Sequence, residues 1–391
     1  MRLKERTISA NTGLDAIKRA PIVDYDTGLK CIRIQDISQN KQIDEWGFTE
    51  TNERDRNRFL LKKNDLLIAR TGATVGVSKF IDRDLEAVYN NGTIRLRFDK
   101  SLNSKFIYYV FQTKSFLQYI DNISCVATQP NLRIEGLLRF TIPYYSIEAQ
   151  NRIVKSLTVF DDLIFNNNER IKILEQMAEN IYKEWFVRFR FPGYKNVEFE
   201  DMKPRGWRVG IEEKKYFTPI SFRYDELKNI GIFNRGKNIT AGEMIEGEIP
   251  VISAGLQPSG YHNKANVFGK CLTISASGAN AGYVRYHMDD IWAADCSYYQ
   301  DDETIWFVYN TLKFLQPVLS NLQCGAAQPH VYPKNINRLC VLIPTEDLIK
   351  KYNDFVSPIY EEINLLNQNN KLLTKQRDYL LPRLMSGKLE V

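Results

Sequence analysis

Gly231-Ile232-Phe233-Asn234-Arg235-Gly236-Lys237 has the glycine and lysine spacing with which a phosphate loop cradles a nucleotide. Asn238 stands where a Ser or Thr must reach magnesium, and turn residues follow in place of a helix, so an ordinary loop is the better reading. His262, His287 and His330 lie in separate segments, without a Ser or Cys nucleophile setting and without metal-ligand spacing. No Pro-Asp dipeptide opens a nuclease motif, and the carboxylates are scattered. The Asn/Asp-Pro-Pro-aromatic loop of amino-methyltransferases needs a Pro-Pro that never occurs, and no Gly-x-Gly-x-x-Gly loop is present. No catalytic and no metal residue is assigned, and the expected function is recognition.

Recognition has better candidates. Arg70, Thr71 and Thr74, and in a second place Ser275, Ser277 and Asn280, can offer a guanidinium, hydroxyls or an amide to bases and phosphates. Gly72, Ala73, Gly278 and Ala279 let the backbone approach closely; the alternative is a tight turn with no ligand. Gln129, Asn131 and Arg133, with Gln328 and His330, form a second group. Gln and Asn pair bidentately with adenine and Arg with guanine, though such residues equally close turns and cap helices. Tyr261, His262, Asn263 and Lys264 are a third group, suited to stacking or phosphate contact.

These groups recur because the chain states its pattern twice, about two hundred residues apart. Thr71-Gly72-Ala73 is echoed by Ser277-Gly278-Ala279, Ala127-Thr128-Gln129-Pro130 by Ala326-Ala327-Gln328-Pro329, and Ile142-Pro143 by Ile343-Pro344. That period is far too long for a solenoid, so each copy is a globular domain plus a helix. Two similar domains on a pseudo-twofold scaffold suit a ligand with two similar ends, such as duplex DNA.

The elements that must position the candidates follow from periodicity. Strand-like runs are Leu66-Leu67-Ile68-Ala69, Thr93 to Phe98, Phe140-Thr141-Ile142, Ile249 to Ile252, Leu272-Thr273-Ile274 and Val341-Leu342-Ile343, with a helical stretch around Phe106 to Tyr119. From Ile147 apolar residues recur three or four apart through Leu157, Ile164, Leu174, Ile181 and Trp185, which predicts a helix of about forty residues ending before Phe191-Pro192-Gly193. Phe355, Ile359, Ile363, Leu366, Leu373 and Leu380 predict a second, with Pro382 kinking or ending it. Two such stripes need partners, and pairing as an antiparallel coiled coil satisfies both. Asn166 to Asn168 and Asn367 to Asn370 interrupt the stripes, as register-fixing seam residues or as a hinge. The expected class is α+β: two globular domains in pseudo-twofold repeat joined by two long antiparallel helices. The boundaries are domain one at 1–145, its helix at 146–190, a linker at 191–206, domain two at 207–345 and the last helix at 346–391. Trp185 and Phe189 are read as plugging the junction of helix and domain, whereas Phe186 and Phe191 are candidate partner-binding anchors among Arg188 and Arg190.

Composition is compatible with this layout. In 391 residues, 43% hydrophobic and 12% aromatic content supports two full cores, and a net charge of +6 permits polyanion binding. Cysteines at 31, 125, 271, 296, 324 and 340 form no Cys-x-x-Cys, which suggests reduced core thiols. No apolar leader and no run of eighteen apolar residues occurs, so a cytoplasmic protein without membrane contact is expected.

Ile181-Tyr182-Lys183-Glu184-Trp185-Phe186-Val187-Arg188-Phe189, Pro204-Arg205-Gly206-Trp207 and Leu380 to Leu389 resemble the conserved-region signatures of DNA-specificity subunits of type I restriction-modification systems. Gly260-Tyr261-His262-Asn263 and Thr273 to Val284 add to the resemblance, which covers essentially the whole chain. It implies two target-recognition domains, each reading one half of a bipartite site in double-stranded DNA. It also implies helices that act as a ruler and dock two modification subunits. Those partners would carry S-adenosylmethionine and methylate adenine, and restriction subunits would add ATP-driven, magnesium-dependent translocation and cleavage, leaving this chain without a cofactor. The Pro-x-Gly-Trp of the second domain has no counterpart between Glu5 and Pro21, and the resemblance places Gly28 to Ile37 opposite Gly247 to Ile252. The loops differ most, so the two domains are expected to read different half-sites. An enzyme with a divergent site and a protein-only scaffold are the other readings.

Overall fold

The apolar run Leu66–Ala69 (β5) is buried along its whole length because its alternate side chains enter two different cores, one on each face of a sheet. The computed structural model describes residues 1–124, 131–202, 216–321 and 330–389, and it divides into two compact units, Met1–Phe165 with Asn370–Val391, and Asn166–Asn369.

In the first unit, strands Thr7–Thr12 (β1), Ile22–Val23 (β2), Lys30–Ile32 (β3), Gly47–Thr49 (β4), β5, Ser78–Phe80 (β6), Ala87–Tyr89 (β7) and Thr93–Phe98 (β8) make two sheets. One is antiparallel, in the order β1-β8-β5-β6, with Leu66 opposite Leu96 and Ile68 opposite Ile94. The other runs β2-β4-β3-β7, where β3 and β7 are parallel. Helices Ile34–Ser38 (α1) and Glu53–Phe59 (α2) connect these strands, and Ser104–Val110 (α3), Lys114–Ser124 (α4) and Ile134–Leu138 (α5) follow. Leu66, Ile68, Ile94 and Leu96 pack on Phe106, Ile107, Phe116 and Leu137, while Leu67 faces Cys31, Trp46 and Tyr89.

The helix expected over Phe106 to Tyr119 is therefore two helices. Thr113 divides them: its hydroxyl donates to the Val110 carbonyl at 2.7 Å and accepts from the Phe116 amide at 3.4 Å. Nor is Phe140-Thr141-Ile142 a strand. It makes a single bridge, Arg2 with Thr141, flanked by Leu3 N to Phe140 O at 2.9 Å and Ile142 N to Met1 O at 2.9 Å.

The second unit repeats this topology. Strands Phe199–Met202 (β9) and Tyr216–Pro219 (β10) form a hairpin, and Arg223–Glu226 (β11) pairs with Cys340–Ile343 (β19). Asn234–Arg235 (β12), Ile249–Ile252 (β13), Gly260–His262 (β14), Cys271–Ser275 (β15), Val284–His287 (β16), Trp292–Ala293 (β17) and Cys296–Tyr299 (β18) form sheets β12-β18-β15-β16 and β14-β13-β17, again with one parallel pair, β13 with β17. Ile305–Phe314 (α7), Gln316–Asn321 (α8) and Pro333–Asn337 (α9) take the places of α3, α4 and α5. Ile32 and Ile252 are equivalent, accepting the amides of Asn90 at 3.2 Å and Ala294 at 2.8 Å, so the alignment of Gly28 to Ile37 with Gly247 to Ile252 is that of the fold. Leu3 and Leu227 match in the same way, their amides reaching Phe140 O at 2.9 Å and Leu339 O at 2.8 Å.

Two long helices complete both units. Ile147–Tyr182 (α6) has 36 residues and passes into a π-turn at Lys183–Val187, and Glu346–Met385 (α10) has 40. Each gives one part to either unit. In the first unit Tyr145 meets Leu384 and Asp161 meets Arg377; in the second, Arg170 meets Glu362 and Trp185 meets Tyr352, so within each the segments run antiparallel. The Asn stretches stay helical, Asn167 is buried, and the division between units falls at them. Pro382 does not end α10 at its own position: the helix runs on to Met385, with Pro382 in its last turn, and Gly387 at φ +70° closes the end. Pro358 lies in the interior of α10, unmarked by any break in the apolar spacing. Among the described residues no helix is long and apolar enough to cross a membrane.

Candidate nucleic-acid interface

The first two candidate groups come together in both units, through the same backbone pairing. In the first, the loop after β5 bridges the segment before α5: Thr71 pairs with Asn131, and the Leu132 amide donates to Arg70 O at 2.8 Å. In the second, Ser277 pairs with His330, and the Val331 amide donates to Ala276 O at 2.9 Å. Gly72 and Gly278 occupy the left-handed region at φ +84° and +72°, where a side chain would be strained. Each unit thus carries a two-loop ledge, tied by backbone pairing, over the end of an inner strand of its sheet.

The side chains on the ledges differ. Arg70 Nε donates to Asn131 Oδ1 at 3.1 Å and its Nη1 to Asn91 O at 3.4 Å, which fixes the guanidinium and leaves its remaining donors available. Arg133, at the N-cap of α5, is exposed, as is Asn131, and Thr74 is half-buried in the same loop. On the second ledge Arg70 is replaced by Ala276. Ser277 Oγ donates to Asp295, whose carboxylate also pairs with Arg235, so Ser277 keeps only acceptor capacity. His330 stacks on Tyr332 at 5.8 Å and 20° between ring planes, and Asn280 ends a short 3-10 turn that begins at the exposed Gly278. Tyr332 occupies the position of Arg133; the sequence did not single it out, although its place four residues after Gln328 mirrors that of Arg133 after Gln129.

Other candidates are placed elsewhere. Ser275 is buried and its hydroxyl donates to Ala254 O at 3.0 Å, so it pins a loop under the ledge and does not face a ligand. His262 is a core residue: its Nδ1 accepts the Ile245 amide at 3.0 Å and its ring meets Trp292 edge-on at 5.0 Å. Tyr261, Asn263 and Lys264 are exposed around the end of β14, on a different sheet from the ledge. Gln129, Gln328, Cys125, Cys324 and Pro204 to Trp207 lie outside the described residues. Phe186 and Phe191 are not partner anchors. Phe186 packs edge-on against Phe307 at 4.9 Å and Tyr352 at 5.0 Å, and Phe191 stacks on Phe222 at 5.5 Å, so both rings are filled core positions beside Trp185.

The nucleotide-like glycines are explained by packing. A Cβ on Gly236 would lie 2.4 Å from Ala294 O, and its amide donates to Cys296 O at 2.9 Å; Lys237 N donates to Ala293 O at 2.9 Å. These amides close a strand corner and cannot cradle a phosphate. Gly13 is its equivalent, with a Cβ 2.1 Å from Tyr89 O. Burial pushes the thiols of Cys31, Cys271 and Cys296 up to about 12, which suits inert core groups. Burial, aided by the neighbouring Arg285, lowers His287 to about 4, and its Nε2 lies 2.8 Å from Thr273 Oγ1. Among the described residues no group of His, Cys, Asp or Glu could hold a metal ion.

A model of the type I restriction modification DNA specificity domain matches the chain twice, over residues 24–176 and 221–375. The type I restriction enzyme MjaIX specificity subunit of Methanocaldococcus jannaschii is 30% identical over 305 residues, covering 74% of this chain and 69% of that protein. A putative type I specificity subunit of Mycoplasma genitalium is 22% identical, covering 85% and 84%. The crystal structure of a type I restriction-modification S subunit from M. genitalium shares the fold, with a TM-score of 0.58 at 20% identity over 98% of this chain and 95% of that one. With the two matched segments falling on the two copies of one topology, the chain belongs to the family of DNA specificity subunits of type I restriction-modification systems.

Proposed function

We propose that each ledge reads one half of a bipartite site in double-stranded DNA, with a gap between the halves that no residue reads. The observation that carries this is one backbone device built twice with different side chains: Arg70, Asn131 and Arg133 on one copy, Ser277, His330 and Tyr332 on the other. A cationic, amide-bearing ledge favours guanine and adenine edges in the major groove, while a His-Tyr stack with a single acceptor favours a different set. The two half-sites accordingly differ in sequence.

The chain positions, and its partners react. Each unit exposes apolar side chains on both of its helix segments, Val159, Leu163, Leu372 and Tyr379 in the first and Ile173, Met177, Phe355 and Leu365 in the second. Exposed apolar side chains on the helices of each unit suit the docking of two modification subunits, which would supply S-adenosylmethionine and methylate adenine. Restriction subunits would join the complex and bring ATP and magnesium. This subunit contributes no cofactor and no reacting group.

Methylome sequencing of cells expressing this chain with its partner subunits, against cells lacking only this chain, tests the proposal. The expected result is a methyladenine motif of two short, unlike half-sites around a fixed gap that disappears with the chain. An active system whose methylation is unchanged without the chain would sink it.

A further inference from the structure

A buried carboxamide joins each globular part to its long helix, and the same arrangement is built in both units. In the first, Gln150 on α6 is 2% exposed: its Oε1 accepts the Asn103 amide at 2.8 Å, and its Nε2 donates to Ser101 O at 3.2 Å and Tyr145 O at 3.0 Å. In the second, Asn353 on α10 is 3% exposed: its Oδ1 accepts the Trp306 amide at 2.9 Å, and its Nδ2 donates to Asp302 O at 2.7 Å. Each carboxamide therefore holds the loop that leads into the helix following the sheets of its domain, α3 or α7. Further along, each interface has another polar tie, partly buried from Tyr109 OH to Asp161 Oδ2 at 2.6 Å in the first unit and buried between Asn310 and Tyr360 at 2.9 and 3.1 Å in the second.

Apolar packing surrounds these ties, Phe106 and Val110 with Ile153 and Leu157, Phe307 and Val308 with Tyr352 and Val356. The other polar contacts are single bonds between side chains, Asn103 Nδ2 to Asn151 Oδ1 at 2.7 Å, Trp306 Nε1 to Ser357 Oγ at 3.0 Å and Tyr182 OH to Thr311 Oγ1 at 3.1 Å among them, and none of these holds the backbone of a domain as the two carboxamides do. Apolar contact is non-directional and tolerates a slip of one element along another. A carboxamide that accepts and donates at once does not, because any slip strands its own two polar atoms and two backbone groups in an apolar interface. One turn of helix is about 5.4 Å, against about 3.4 Å per base pair of duplex, so a one-turn slip moves a reading surface by about one to two base pairs.

We infer that Gln150 and Asn353 are positioning residues that set where each domain sits along its helix, and so hold the gap between the half-sites at a single length. This rests on the bipartite reading proposed above.

The test is the methylome of cells expressing the complex with Gln150→Met or Asn353→Leu, each with a side chain of the same number of heavy atoms or one fewer and without hydrogen bonds. The half-site sequences stay the same. Methylation at gaps one or two base pairs longer or shorter rises about tenfold over wild type, a change in proportion to the loss of such bonds. Reduced methylation confined to the original gap in both variants overturns the inference. Should Asn353→Leu fail to fold, Tyr360→Phe removes the hydroxyl tie to Asn310 and keeps the ring stacked at 3.8 Å on Trp306. A single gap there counts equally against it. Wild type without any bipartite motif would instead refute the proposed function, and the positioning role with it.

Discussion

Arg133 and Tyr332 stand at one structural position in the two copies, and their chemistry separates the copies most sharply. Arg133→Ala should cost the complex about 1–3 kcal/mol on sites carrying the half-site of the first domain, and Tyr332→Ala about the same on the other. Binding to duplexes with one half-site altered at a time measures this; equal losses on every duplex would mean phosphate contact without base reading. The sequence marked these loops through repeated tripeptides, and it could not separate Ser275 from Ser277. Both are small and polar, and only the strand's burial shows that the first hydroxyl points into the core. Nor could it tell His262 in the core from His330 on the ledge, since a histidine satisfied by a backbone amide leaves no signature in spacing. His287 carries a pH dependence of known sign. Its folded value, about 4, lies below the ordinary 6.5, so the stability it contributes is complete above pH 6.5 and declines as pH falls from there towards 4. Thermal melts over that range should show the decline, and His287→Gln should flatten it.

At the scale of elements, helices and central strands were legible because apolar periodicity and burial coincide in them. Short pieces were not. Thr113 divides a helical stretch by one hydroxyl, and Phe140-Thr141-Ile142 has strand composition but too short a partner to form a ladder. Pro358 went unnoticed because the stripe continues on either side of it. The helix pair itself has a polar hub in the first unit: Asp161 accepts from Tyr109 at 2.6 Å and from Arg377 at 2.8 Å. Asp161→Ala leaves a partly buried guanidinium and a phenol without their acceptor, and should lower stability to denaturant by about 2–3 kcal/mol. A loss below about 0.5 kcal/mol, the level of an exposed ion pair, would show that water replaces the carboxylate.

For the whole molecule, the repeat was the most legible property, because matching fragments in matching order survive even where each fragment is weak. Its net charge of +6 is modest, and charge alone did not identify the ligand. The complex bound to its site should nevertheless weaken by about a thousandfold between 50 and 200 mM salt, the response of several phosphate contacts releasing counterions. A salt-independent affinity would favour a scaffold that holds only proteins.

The first unit is assembled from both ends of the sequence, and this sets an order of events during synthesis. Leu381, Leu384 and Met385 are buried in its core beside Leu157, whereas the second unit is one continuous stretch, Asn166–Asn369. On the ribosome the second unit can close while the first, though made earlier, still shows a bare apolar face. That face waits for the segment around residues 381–385 to emerge, and in that interval it is open to chaperones or to the wrong neighbour. The half of the protein translated first is the half completed last.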